Sequence, residues 1–435
     1  MIYHLFHFLD ENYHLLGARL FQYTTFRASV AFILSLILAT IIGKKIIFKL
    51  KALQVKDEIR NLGLPGEMTK SNTPTMGGII MIIAILVPVL LFARLDNVYI
   101  WLIILTVVSM GGIGFWDDYI KVYKKRKEGI KGSYKIISQV ILGIIVGAVL
   151  YSQDSVRVKD FNSAYFYNIS DNGKIDWSKP AKVVAYHKDM KLDTIQNGYY
   201  VTNEIKTFKT NVPFVKNNLV DYSYILKPFT DNYDKWGWII FIPIITFIIT
   251  SVANAANLTD GIDGLASGVS AINMLTLGLF AFVSGNIVLA DYLNILYIPN
   301  SGEILIACSA IVGACVGFLW YNAYPANVFM GDTGSLMLGG VIATIAIMVR
   351  KELLLPLMSG IFVAEALSVI IQRYVFKYYK YRFGRAYAEE HRFFKMSPLH
   401  HHYQKLGYHE SKIVTRFWII SIILAVLTII TLKIR

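Results

Sequence analysis

The sequence runs to 435 residues, of which 55% are hydrophobic and only 17% charged, with a mean hydropathy of +0.49. Soluble domains carry about 25% charged residues, so this composition excludes an ordinary soluble protein and points to a polytopic membrane protein. The net charge of +14 does not argue for a nucleic-acid partner, because Lys and Arg concentrate in short loops beside apolar stretches, as membrane topology requires.

Residues 1–20 are aromatic and mixed in charge. They lack a basic segment leading into an apolar core, and read as a short interfacial helix rather than a cleavable signal peptide. Ten apolar spans follow, at about 26–43, 77–94, 98–116, 135–152, 236–253, 265–284, 303–321, 334–350, 353–375 and 413–431. Crossing a bilayer takes ~20 residues, and a strand edge cannot be satisfied in lipid. The fold expected is therefore an all-α polytopic membrane protein with about ten transmembrane helices. It divides into 1–152 with helices 1–4, an insert at 153–235, and 236–435 with helices 5–10.

The basic loops set the orientation. Lys44, Lys45, Lys49, Lys51, Lys56, Arg60 and Lys70 follow span 1. Lys121, Lys124, Lys125, Arg126, Lys127 and Lys131 follow span 3, and Lys377, Lys380, Arg382, Arg385, Arg392, Lys395 and Lys405 follow span 9. All three loops follow odd spans, which places them in the cytoplasm and both termini on the outside. Arg350 and Lys351, on the outer side, are the exception. Residues 153–235 are polar and rich in Tyr, Asn, Asp and Lys. Lys182-Val183-Val184-Ala185-Tyr186 and Tyr199-Tyr200-Val201-Thr202 alternate like strands, and Asp171-Asn172-Gly173 is a turn signal. This segment reads as a β-rich periplasmic insert between helices 4 and 5, since long loops translocate regardless of charge. Asn168-Ile169-Ser170 is too short a pattern to carry weight as a glycosylation sequon. Cys308 and Cys315, both in span 7, read as buried inert thiols.

Polar residues gather at the ends of odd spans. Span 1 is followed by Lys70-Ser71-Asn72-Thr73-Pro74-Thr75-Met76-Gly77-Gly78, and span 3 ends in Asp117-Asp118. Span 5 leads into Asn254–Gly264, span 7 into Asn322–Ser335, and span 9 into His400-His401-His402. By parity all five share one face, which favours a site over five unrelated helix caps. Thr259-Asp260 and Asp332-Thr333 also read as N-caps of spans 6 and 8. Asp260 and Asp263, three apart, would share a helix face. Adjacent Asp117 and Asp118 diverge by about 100°, so one is expected to face a metal and the other a substrate or a lysine. Consecutive histidines rarely converge, and no H-E-x-x-H spacing occurs; they read as hydrogen-bonding partners of phosphate or substrate oxygens rather than zinc ligands. Carboxylates, lysines and glycine-flanked helix starts together suit a phosphate ester with Mg²⁺. No P-loop is present.

These motifs resemble the phospho-N-acetylmuramoyl-pentapeptide transferase family of the polyprenyl-phosphate N-acetylhexosamine-1-phosphate transferase superfamily. The resemblance rests on Thr73–Gly78, Asp117-Asp118-Tyr119, Asn257–Gly264, Val328–Ser335 and Pro398–His402, and covers all ten spans but not 153–235. It implies ten helices with both termini periplasmic. It also implies transfer of phospho-N-acetylmuramoyl-pentapeptide from the UDP-linked donor to undecaprenyl phosphate, with Mg²⁺, giving lipid I and UMP. The resemblance makes Asp332 the Mg²⁺ ligand and Asp117, beside Asp118, the residue that activates the lipid phosphate. It places Asn257, Asp260 and Phe329 in a uridine pocket and gives Lys70 a nucleotide contact. Thr75, Lys121, Lys135, Asp263, Asn322, His400 and His401 match further active-site positions. The expected partners are these two substrates and the lipid bilayer, with a homodimer as the assembly. The family's usual short external loop is replaced here by the long insert. A transferase of N-acetylglucosamine-1-phosphate is the nearest alternative, and a lipid flippase or transporter is disfavoured because the charged groups sit at helix ends rather than at the bilayer midplane.

Overall fold

The computed structural model describes residues 1–15, 17–53, 55, 73–126, 128–161, 163–169, 175, 180–185, 192–196, 199–213 and 218–433. Among the described residues sixteen α-helices follow one another. They are α1 (Ile2–Tyr13), α2 (Thr24–Ala52), α3 (Gly78–Phe92), α4 (Val98–Tyr123), α5 (Gly132–Ser152), α6 (Tyr233–Trp236), α7 (Trp238–Thr259) and α8 (Leu265–Ser284). Then come α9 (Ile287–Leu293), α10 (Gly302–Asn322), α11 (Gly331–Met348), α12 (Leu355–Met358), α13 (Gly360–Phe383), α14 (Arg385–Glu390), α15 (Leu399–Lys405) and α16 (Glu410–Thr431).

Every apolar span of the sequence is a helix, but the spans differ in kind. Among the described residues eight helices are long and apolar enough to cross a membrane. A ninth span is broken, its two parts (Glu352–Met358 and Gly360–Phe383) meeting at 78°. The expected span at 77–94 is shorter than read: α3 has 15 residues with Pro88 inside, below the ~20 of a full crossing. The chain is thus a multi-pass, all-α membrane protein.

Helix α11 is the axis of the bundle. Every residue from Thr333 to Met348 is buried, which its run of Gly, Ala and short aliphatic residues permits, because small side chains let neighbouring backbones approach closely. Helices α3, α4, α7 and α8 surround it, and α2 packs along α10. Cys308 and Cys315 are both buried and unpaired, as expected.

Between α5 and α6 the chain is β-rich. Strands β1 (Val158–Lys159) and β6 (Glu204–Ile205) pair antiparallel. β2 (Ser163–Asn168), β3 (Lys182–Ala185), β4 (Thr194–Gln196) and β5 (Tyr199–Thr202) form a sheet in the order β3-β2-β5-β4, and β7 (Lys209–Asn211) pairs with β8 (Leu219–Asp221). The strands expected at 182–186 and 199–202 are β3 and β5; the turn at 171–173 lies outside the described residues. This segment is bonded to the bundle. Lys159 and Tyr297 exchange backbone hydrogen bonds of 2.8 and 3.2 Å, and the Asn211 amide donates to the Arg350 carbonyl at 3.1 Å. The exceptional cations Arg350 and Lys351 thereby find a reason, since they sit where the β segment is anchored. Lys351, 1% exposed, donates to Asn211 Oδ1 at 2.6 Å.

Candidate active site

The C-terminal ends of α4 and α7 meet the N-terminal end of α11. Gly114 lies one turn before the paired carboxylates, and a Cβ there would fall 2.2 Å from the Asp332 carbonyl oxygen. Only glycine lets α4 come this close, and the approach lays Asp117 and Asp118 against the first turn of α11. Asp118, 3% exposed, accepts from the backbone amides of Asp332 (3.1 Å) and Thr333 (3.0 Å) and from the Thr333 hydroxyl (2.6 Å). It supplies across space the cap that α11 lacks from its own Ncap residue. The reading of Asp332-Thr333 as a self-contained cap is corrected accordingly, and Asp332 is left free to face the cleft. Thr259-Asp260 is likewise not the cap of the next helix. α8 starts after Gly264, whose amide is held by Asn322 Oδ1 at 3.1 Å.

Asp117 is fully buried. Its Oδ1 accepts from the Ile130 amide at 2.7 Å, and its Oδ2 lies 2.7 Å from Lys121 Nζ and 2.9 Å from Lys135 Nζ. The same two ammonium groups reach Asp332 Oδ2 at 3.2 and 2.5 Å. Asn257 Nδ2 donates to Asp332 Oδ1 and to Ser335 Oγ, both at 2.9 Å. Asp117, Asp118 and Asp332 each offer an oxygen within 4.8 Å of the others. The divergence of adjacent helix positions therefore does not keep Asp117 and Asp118 off a common centre, because α11 lies across both. It does divide their work. Asp118 is spent on amides, whereas Asp117 and Asp332 share two lysines.

A cavity of about 220 Å³ opens beside this cluster, lined by Thr75, Asp118, Lys121, Asn257, Asp260, Asp263, Asn322, Phe329 and Asp332 among others. Thr75 and Phe329 come together through their backbones: Phe329 donates to the Pro74 carbonyl, and Gly77 to that of Phe329, both at 2.8 Å. Asp263 accepts from the Ala326 amide at 3.0 Å, and Asn322 Nδ2 donates to the Val328 carbonyl at 2.9 Å. These two line the cleft while holding its loops in place. Burial, reinforced by the negative charges of Asp332, Asp118 and Asp263, pushes the Asp260 carboxyl up to about 8. Lys70 lies outside the described residues.

The histidines separate. His400 is fully buried, with Nδ1 3.1 Å from the Glu365 carboxylate, and its backbone amide also donates to Glu365 at 3.1 Å. A Cβ on Gly261 would fall 2.1 Å from His400 Nε2, so this ring packs directly behind the cleft wall. His401 Nδ1 meets Gln404 Oε1 at 2.6 Å and does not line the cleft. His402 Nδ1 accepts from the Lys395 amide at 3.1 Å. Among the described residues no metal-binding group of three includes a histidine. Glu365 was not singled out from the sequence, although a lone carboxylate inside an apolar span is itself a signal. Glu365→Gln should lower turnover by about 10–100-fold, the range for losing a group that orients a functional histidine, without shifting the thermal midpoint appreciably. An unchanged turnover number would deny Glu365 any orienting part.

Five carboxylates (Asp117, Asp118, Asp260, Asp263 and Asp332) face two lysines here. An anionic ester entering such a site needs a cation, and clustered hard oxygen donors are what a hard divalent ion takes. The donor set fits a metal.

Comparisons with known proteins agree with this chemistry. Residues 207–350 match the model of the glycosyl transferase family 4. Proteins named phospho-N-acetylmuramoyl-pentapeptide-transferase from Flavobacterium johnsoniae, Flavobacterium psychrophilum and Amoebophilus asiaticus are 55%, 53% and 50% identical to the chain, over 100% of both partners in each case. The chain belongs to this family. The similarity runs through the β-rich segment as well, so that segment is not an addition peculiar to this chain.

Proposed function

We propose that the chain transfers phospho-N-acetylmuramoyl-pentapeptide from UDP-N-acetylmuramoyl-pentapeptide to undecaprenyl phosphate, forming lipid I and UMP in cell-wall synthesis. The observation that carries the chemistry is the Asp117–Lys121–Lys135–Asp332 cluster, set where apolar helices end and a lipid headgroup lies. An oxygen of the lipid phosphate bonds to the phosphorus that bears the sugar. The bond from that phosphorus to the uridylate oxygen breaks, and UMP leaves with the electron pair. Such transfer is governed by positioning and charge neutralisation rather than by covalent help.

Asp332 and Asp117 would hold a Mg²⁺ ion, which when bound supplies positive charge to the pyrophosphate. Lys121 and Lys135 each lie within 3.2 Å of both carboxylates, and exchange these for phosphate oxygens as the donor enters. Asp117, buried beneath them, orients the attacking lipid phosphate. Phe329 stacks on the uracil, while Asn257, Asp260 and Lys70 bind the nucleotide, with Thr75, Asp263 and Asn322 shaping its walls. His400 supports the cleft wall at Gly261 from α15, with the His401 ring beside it. In this reading the cleft faces the cytoplasm, 153–235 forms a module facing the periplasm together with both termini, and the enzyme works as a homodimer in the bacterial inner membrane.

The test uses the purified full chain with both substrates and Mg²⁺. UMP release dependent on undecaprenyl phosphate is expected. No release would sink the assignment, and release with UDP-N-acetylglucosamine in place of the muramoyl donor would select the alternative transferase.

A further inference from the structure

We infer that the end of the bundle opposite the carboxylate cleft holds a second site, which binds a phosphate oxyanion through Arg350. A cavity of about 800 Å³ lies where the β segment meets the last turn of α5 and the first turn of α7. Tyr151, Phe208 and Phe241 give it aromatic walls, and Arg350 reaches it from beyond α11. Arg350 is 4% exposed. Its guanidinium lies 5.3 Å from the centre of the Phe241 ring, and its Nη1 has no hydrogen-bond partner among the described residues. A buried charged donor left unmade is costly, and it persists where a ligand completes it.

Several neighbouring groups are already committed. Lys351 is committed to Asn211, and burial pushes its ammonium down to about 7. Glu352, whose charge acts on Arg350, takes the Tyr222 hydroxyl on Oε1 at 2.9 Å, while its Oε2 has no hydrogen-bond partner among the described residues. Lys206 donates to the Ser152 carbonyl at 3.2 Å and lies 3.6 Å from Asp154; Asp234 accepts from Ser223. The Arg350 backbone is left-handed, with φ of 56°. Its carbonyl serves the Asn211 amide and the Thr210 hydroxyl, each at 3.1 Å. The backbone is thus tied to strand β7 while the side chain lines the cavity. Unusual backbone of this kind is strained and recurs at functional positions.

A planar guanidinium matches a phosphate through paired N–H donors. The cavity is far larger than a lone phosphate and is walled by aromatic rings, so it suits a phosphate borne on an apolar body. It opens at the level where α5 ends and α7 begins, which is where lipid headgroups lie. Both a phospholipid headgroup and free phosphate carry the required oxyanion.

The experiment uses the delipidated full chain. Thermal midpoints are followed on adding inorganic phosphate, neutral glycolipid vesicles, or the same vesicles doped with phosphatidylglycerol. A saturable upward shift is expected, weakened at least tenfold in apparent affinity by Arg350→Gln and partly restored by Arg350→Lys. A shift with phosphatidylglycerol alone identifies a lipid headgroup, and one with phosphate alone a soluble anion. The inference is overturned if neither ligand shifts the unsubstituted chain, if the glycolipid alone acts equally, or if Arg350→Gln responds like the original. Because the unsubstituted chain decides the first outcome, the result does not hang on the variant folding.

Discussion

Asparagine in place of Asp332 should slow transfer by on the order of 10³-fold or more, about 4 kcal/mol of transition-state stabilisation, while the bundle keeps its thermal midpoint. The two halves of this expectation have separate structural grounds. The start of α11 is held by Asp118, which takes the amides of residues 332 and 333. Nothing in that cap depends on the charge at position 332. Asparagine also retains an oxygen for the Asn257 amide, which donates to Oδ1 at 2.9 Å. The negative oxygen that faces Lys121 and Lys135 is lost, and with it one of the two donors assigned to the metal. Asp118→Asn provides the contrast. It weakens a charged cap at a helix N-terminus, so it should lower stability by roughly 1–2 kcal/mol as well as rate. UMP release and thermal midpoints, measured on both variants, separate chemistry from architecture. Activity above a tenth of the original in Asp332→Asn would strip Asp332 of its assigned role.

The sequence exposed the cleft because of a counting argument. Odd spans end on one face, so polar stretches after spans 1, 3, 5, 7 and 9 had to meet. Thr75, Asp117, Asp118, Asp260, Asp332 and the wall behind Gly261 do lie at one end of the bundle. The helices themselves were legible because an uncharged run of twenty residues has few other uses. Pairings across space were not. That Asp118 caps α11 depends on Gly114 letting two helices touch, and a glycine in a membrane helix does not name its neighbour. Helix ends were misread where composition changes before conformation does. α2 runs to Ala52 through Lys44, Lys45 and Lys49, since lysine is a good helix former even where it ends an apolar run. The sharp bend at Ser359, between α12 and α13, has no hydropathy signature at all.

The largest stability effect is expected from an ion pair at the other end of the molecule. Glu303→Ala should destabilise the chain by about 3–5 kcal/mol, because it leaves a buried guanidinium without its counter-charge. Arg27 is 2% and Glu303 5% exposed, and they meet through two bonds, of 2.9 and 2.7 Å. The pair also joins other parts of the chain: Arg27 Nη1 donates to the Phe92 carbonyl at 2.9 Å, and the Arg94 amide donates to Glu303 Oε2 at 2.8 Å. One cluster thus ties the starts of α2 and α10 to the turn between α3 and α4. Removing both charges with Arg27→Met and Glu303→Met should cost less than Glu303→Ala alone, since no orphan charge remains and the methionines fill the space. Denaturation of Arg27→Met, Glu303→Met and the variant carrying both forms a cycle whose coupling term isolates the pair. A single-variant loss under about 1 kcal/mol would show the pair to be no stronger than a surface one. The contrast with the cleft is physical. At Arg27 and Glu303 each charge is matched within the protein, so its loss is felt in folding. At Asp117 and Asp332 the carboxylates outnumber their lysines once Asp260 and Asp263 are included, so the protein holds charge that its ligands must complete, and loss there is felt in turnover.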